Sequence, residues 1–308
     1  MDPESDFYGD EETVSKLNAR LEELDTSQFW ESQTPTQTIS TGDNSQKPQK
    51  QKQKQSLTMS TTPNPHHSTS SRLHNRYAGQ PSAWQLSESV DAFLARLPPS
   101  TTDWRPELDW IRIANPFIPA EPVNLPMLHE AGKKRLDMLS GFMEMNFAAA
   151  SKQSPAFAHK EMIKDREEAV QDLRDLAAAC NLVMGKWMLF PEPGAEVDAV
   201  WAAVAKATAN NELGIAAKVE TRDSPTKARL LCVYTKDFRD KVDVARVLNR
   251  LRELELVRAG RKPIYYKLEA WTELDIYSGN KWSIGASMYS STEIFGYIKD
   301  ITSRRRLQ

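Results

Sequence analysis

The chain of 308 residues carries 40 lysines and arginines against 42 aspartates and glutamates, a formal net charge of -2. That balance excludes a protein that wraps nucleic acid with its whole surface, but leaves room for a local basic face. Two cysteines, Cys180 and Cys232, each inside an apolar run, are too few for a disulfide framework or a thiolate metal cluster.

Residues 1 to about 32 are acidic, and within them Val14, Leu17, Leu21 and Leu24 recur at spacings of three and four. The spacing predicts a short amphipathic helix at 11–25, with Phe29 and Trp30 just beyond it as anchors for a partner's groove. From about Gln33 to Arg76 the chain is Gln, Ser, Thr, Pro and Lys with almost no aliphatic residue. Such a stretch buries too little surface to offset chain entropy, so residues 1–76 are expected to form a disordered tail. A folded domain is expected over 77–302, with a helical insertion at 126–182 and a basic tail at 303–308.

Inside the domain, Ser87–Leu97 has a serine cap and Val90, Phe93, Leu94 and Leu97 on one helical face, and Pro98-Pro99 stops it. Trp110–Ile113 reads as a strand. Two long helical patterns follow, one over 126–150 with Met127, Leu136, Leu139, Phe142 and Met143 facing in, the other over 157–182. Then come strand Gly185–Phe190, helix Glu196–Ala209, a hairpin of Gly214–Arg222 with Arg229–Lys236, and helix Val242–Leu254 with Val242 among its inward residues. Extended stretches Ile264–Leu268, Leu274–Tyr277 and Trp282–Tyr289 and a helix Glu293–Ile301 complete the chain.

Hairpin-joined strands separated by helices predict an α+β fold: a curved, mostly antiparallel sheet with helices on its convex face. No Gly-rich loop joins a strand to a helix, so dinucleotide and P-loop sites are excluded. No apolar run approaches the roughly 18 residues of a membrane helix, and the acidic N-terminus resembles neither a secretory signal nor a transit peptide. A soluble protein of the cytoplasm, or of the nucleus, with no membrane contact is expected.

The ordered segments Ser89–Phe93, Gly185–Leu189, Val197–Trp201, Gly214–Ala217 and Cys232–Thr235 together resemble the translation initiation factor 4E fold. Val233–Asp240 and Tyr266–Asn280 resemble more closely the Bles family, named for a basophilic-leukaemia-expressed protein. The resemblance covers about Trp84 to Tyr289 and implies a ligand face on the concave side of the sheet. The cap-binding residues of initiation factor 4E do not carry over. Trp84 is the one tryptophan in Arg76–Gln85, no Trp-Glu pair occurs in Asn115–Pro119, the phosphate-binding arginine falls at Glu220, and the scaffold-docking tryptophan falls at Leu94. Binding of the methylated cap in the usual way is therefore not expected.

Strand alternation sets Lys186, Met188 and Phe190 against Trp187 and Leu189, and Ala216, Lys218, Glu220 and Arg222 against Ile215, Ala217 and Val219. The apolar sets must face the helices, which sends Lys186 and Lys218 to the concave face. With Arg222, Arg229, Lys236 and Trp271 they form the expected site for a phosphate-bearing ligand, an RNA or a nucleotide. Solvated lysines, or lysines paired with Glu220 and other carboxylates, are the competing reading. The alternative function is a protein-interaction adaptor working through residues 11–30 and the convex helices. No catalytic set, metal site or cofactor motif is apparent, and a binding module is expected rather than an enzyme.

Overall fold

The computed structural model describes residues 73–150, 155–258, 260 and 262–306. The 11–25 helix, the docking segment 11–30 and all but the last four residues of the expected tail over 1–76 therefore lie outside the described residues. In chain order the elements are α1 (Val90–Arg96), β1 (Trp110–Ala114), α2 (Leu125–Ala150), α3 (Pro155–Ala179), β2 (Gly185–Leu189), α4 (Ala195–Ala209), β3 (Ala216–Glu220), β4 (Leu231–Thr235), α5 (Lys241–Glu253), β5 (Tyr265–Leu268), α6 (Glu269–Glu273), β6 (Tyr289–Ser290) and α7 (Ser291–Arg306). The strands form one six-stranded sheet in the order β1-β3-β4-β2-β5-β6, and every neighbouring pair is antiparallel. The fold is α+β.

Caps explain where the helices begin. Ser89 accepts from the Ala92 N–H at the start of α1, and Asp240 accepts from Val242 and Asp243 at the start of α5. The Asp198 carboxylate, in the first turn of α4, accepts from Ser100 N at 2.9 Å and Ser100 Oγ at 2.5 Å, tying the loop after α1 to that helix.

The helix-side core is continuous. Ile111, Ile113, Ala217, Val219, Leu231, Val233, Trp187, Leu189, Tyr266 and Leu268 line one face of the sheet, and Phe93, Leu136, Leu173, Trp201, Val204 and Leu248 cover them. The alternation rule therefore assigns the faces of β2 and β3 correctly, except at Ile215, which was expected on the helix side but precedes β3 and packs in the cluster on the other face. Gly214 permits the tightest approach in this layer: a Cβ there would lie 1.7 Å from the Tyr234 carbonyl oxygen.

Four local expectations change. Leu274–Tyr277 is the turn that follows α6 rather than a strand, and Trp282–Tyr289 contributes only its last residue to β6. A five-residue helix, α6, intervenes because Ala270 and Trp271 reach the core from a helical turn. Val242, expected inward, is 64% exposed beside the cap of α5, and on α2 Met127 and Phe142 face out together with Met138 and Met145. The buried apolar residues of α2 are Leu128, Leu136 and Leu139, with Met143 half-buried against the core, so its broader apolar pattern exceeds the face it buries.

Candidate functional site

The other face of the sheet is polar at its centre. Strands β2, β3 and β5 each place one lysine there: Lys186, Lys218 and Lys267. Lys186 stands directly opposite Lys267 across β2–β5 and opposite Tyr234 across β2–β4. Lys218 stands between Arg112 of β1 and Cys232 of β4. Lys186 and Lys267 are buried, and Lys218 is half-buried.

One buried carboxylate pairs with Lys186. Glu269, the first residue of α6 and two positions after Lys267, is itself buried. Its Oε2 accepts from Lys186 Nζ at 2.7 Å, and Lys186 also donates to Thr272 Oγ1 at 3.0 Å. The Tyr234 hydroxyl donates to Glu269 Oε1 at 3.4 Å. Aromatic rings hold the other ammoniums: Lys218 lies 4.1 Å from the Trp110 ring centroid and 5.8 Å from that of Tyr234, and Lys267 lies 3.7 Å from Tyr277.

Burial and mutual repulsion then divide the lysines. Burial pulls the Lys186 pKa down, but the Glu269 charge and hydrogen bond outweigh it and leave the ammonium favoured. Burial, then the neighbouring Lys186 charge, lowers Lys218, and the same causes push Lys267 well below the usual lysine range. Burial works against the Glu269 anion, yet Lys186 and Lys218 hold its pKa low. Burial also raises Cys232 and, with Glu269 assisting, Tyr234.

The remaining expected site residues are dispersed. Arg229 is 1% exposed and donates to the Lys227 and Ser224 carbonyls of its own loop, with Asp223 alongside at 3.9 Å. Arg222 pairs with Asp103 at 2.7 Å near the end of β3. Lys236 pairs with Glu121 at 2.8 Å on the wall of a shallow hollow of about 40 Å³ that Arg76, Ile118, Val183 and Met184 also line. Trp271 is core on the helix side, its indole N–H donating to Gly285 O at 3.1 Å. Of the expected residues, Lys186 and Lys218 share a neighbour, the Tyr234 ring, at 5.7 and 5.8 Å from its centroid.

Part of the face expected to lie open is filled by the chain itself. Residues 75–84 run along the edge of β1, where Trp84 N donates to Arg112 O at 2.9 Å and Arg112 N to Ser82 O at 3.0 Å. Tyr77 and Ala83 thereby join Ala114, Met188, Ala216, Cys232 and Tyr234 in a second, smaller apolar cluster. Lys267 and Glu269 escaped the sequence reading as site residues. The signal for Lys267 was present, since β5 alternates Tyr265 and Lys267 against Tyr266 and Leu268 just as β2 does. Glu269 gave no such signal because it lies on a helical turn.

This is an α+β protein whose antiparallel sheet is blanketed by helices on one side and carries a row of two buried lysines and one half-buried lysine on the other. The sequence matches the family of basophilic leukemia-expressed protein Bles03 over residues 17–275. The chain belongs to that family, as its segments from Val233 to Asn280 indicate. Among solved structures, Ascaris suum eIF4E-3 in complex with the m2,2,7G cap is similar at 16% identity and a TM-score of 0.26. That similarity covers 36% of this chain and 59% of the other. Among the described residues, no helix is long and apolar enough to cross a membrane.

Proposed function

We propose that the row Lys186–Lys218–Lys267 binds a small phosphate-bearing ligand, and that the protein is a binding module for a nucleotide rather than an enzyme. The observation that carries this is the convergence of these lysines on one sheet face around the shared Glu269. Desolvated ammoniums beside one another repel, and an anion among them would convert that repulsion into attraction. Trp110 and Tyr234, flanking Lys218, offer rings against which a base could stack. Burial of the row favours a mononucleotide over an RNA strand, whose backbone would need an open groove.

The test is thermal stabilisation by nucleoside monophosphates and inorganic phosphate, repeated with Lys218→Met. Stabilisation that weakens with added salt and disappears in the variant supports the reading. Equal stabilisation of both proteins, or none of either, overturns it. Tighter binding of a single-stranded RNA than of any nucleotide would replace the ligand class.

The exposed residues of α2 favour one further reading. Met138 is 56% exposed, Phe142 39% and Met145 59%, and their spacing sets them on one face. A protein partner docking there would make the chain an adaptor. Met138→Glu with Met145→Glu should abolish any association through this face while leaving nucleotide stabilisation intact.

A further inference from the structure

We propose that Lys267 is a carbonyl-reactive lysine, an amine set across from Lys186 and against the Tyr277 ring, that forms an imine with an aldehyde or ketone bearing a phosphate. The inference rests on the anion-binding reading of the same row and adds a covalent step to it.

An amine becomes a nucleophile near neutral pH when it is desolvated or stands beside a second fixed cation. Lys267 meets both conditions. It is 4% exposed, and its cross-strand partner is Lys186. The Lys186 charge is fixed, because Glu269 and Thr272 hold its ammonium at 2.7 and 3.0 Å. Glu269 is thereby committed to Lys186, whereas among the described residues Lys267 makes no ion pair and rests on a ring 3.7 Å away. The lowered Lys267 pKa agrees with this arrangement. The row thus divides its work: Lys186 is the permanent charge, Lys218 the ring-bound cation that meets the phosphate, and Lys267 the nucleophile. Tyr277 is half-buried on the turn after α6 and stacks on the amine, so an incoming carbonyl would take the place of its ring.

The chemistry closes without an oxidant or a cofactor. The Nζ lone pair attacks the carbonyl carbon, and the carbonyl π electrons move to oxygen, which takes one amine proton. The resulting carbinolamine expels its hydroxyl with the second amine proton as water, leaving a C=N bond. The Lys186 ammonium stabilises the oxyanion while it exists.

The experiment treats the full chain with pyridoxal 5′-phosphate, traps imines with borohydride and maps adducts by peptide mass spectrometry. Lys267 should be the dominant adduct, ahead of the exposed Lys133, Lys134, Lys160 and Lys164. Its lead should widen as pH is lowered from about 9 to about 7, because ordinary lysines lose free amine about tenfold per unit. Lys267→Arg keeps the charge and should remove the dominant adduct; the wild-type map decides the matter even if that variant folds poorly. Adducts spread over the exposed lysines overturn the proposal. Pyridoxine 5′-phosphate, which lacks the aldehyde, separates the two readings. If it stabilises the protein while Lys267 stays unlabelled, the imine falls and the anion site stands. If it fails to bind and Lys267 stays unlabelled, both fall.

Discussion

Replacing Lys267 with methionine should stabilise the ligand-free protein. Methionine keeps an unbranched stem of similar length, so it occupies the same slot against Tyr277, and a thioether–ring contact is worth ~0.3–1.5 kcal/mol. The substitution removes a cation–π contact of about 0.5–2 kcal/mol. It also removes a buried charge whose desolvation and repulsion by Lys186 outweigh that contact. Even a paired buried charge is often replaced by packed apolar groups at no cost or with a gain of ~1–4 kcal/mol. Among the described residues Lys267 has no such pair to lose, so a net gain of about 1–3 kcal/mol is expected. For a domain of this size that raises the melting temperature by roughly 2–4 °C per kcal/mol. The pH dependence is distinctive. A lysine with a depressed folded pKa binds fewer protons folded than unfolded in the window between its folded pKa and the unfolded value of about 10.4. Wild-type stability therefore rises with pH across that window, and the advantage of Lys267→Met is largest below it and shrinks through it. Urea denaturation at a series of pH values reads this directly. A variant that is less stable near neutral pH, or whose advantage grows toward alkaline pH, would refute the reasoning.

Lys186→Met should have the opposite sign, losing about 3–5 kcal/mol by leaving Glu269 buried without its hydrogen-bonded cation, and the Lys186→Met/Glu269→Gln double variant should recover most of it. Denaturation midpoints of the two variants settle that comparison, a double variant as unstable as the single one counting against it. Because the Glu269 pKa is depressed, its contribution is present above the ordinary carboxylate range and lost as pH falls through its folded value; the double variant should therefore lose less stability in acid. Gly214→Ala should cost more than about 4 kcal/mol or prevent folding, since its Cβ would meet a backbone oxygen at 1.7 Å; soluble expression with an unchanged melting temperature would contradict the register. Binding of phosphate to the row should take up protons, because an anion raises the depressed Lys218 and Lys267, and calorimetry in buffers of different ionisation enthalpy would measure the uptake.

The sheet was legible from period alone because each strand alternates one apolar set with one mixed set. That is why the Gly214–Lys236 hairpin and the two faces of β2 follow directly from residue order. Lys186 and Lys218 could be sent to the far face by the same rule, but their partners could not. The decisive carboxylate, Glu269, comes from a helical turn 83 positions beyond Lys186, a pairing that no local pattern encodes. Arg229 misled for the converse reason: a basic residue next to a polar loop looks like a rim, yet it satisfies the carbonyls of that loop from inside. Trp271 likewise read as an aromatic among basic residues, whereas α6 turns it into the helix-side core. On α2 the apolar pattern was real but wider than the groove α3 offers, so Met138 and Met145 remain outside.

A sheet buried on both faces is most cheaply filled with aliphatic side chains. This chain follows that rule on the helix side and on the Tyr77 half of the other side, where Met188, Cys232, Ala216 and Ala114 pack as expected. It departs from the rule where β2, β3 and β5 each insert a lysine into the same face. Each departure opposes stability, and Glu269 relieves chiefly one of them, since Lys218 and Lys267 stay depressed while Lys186 does not. Local rules that fail together at adjacent positions, against the interest of the fold, are expected where a chain handles a ligand. The lysines lost from the row by substitution should therefore stabilise or destabilise according to their pairing with Glu269, but all should weaken phosphate. A row that served only the fold would show the first pattern without the second.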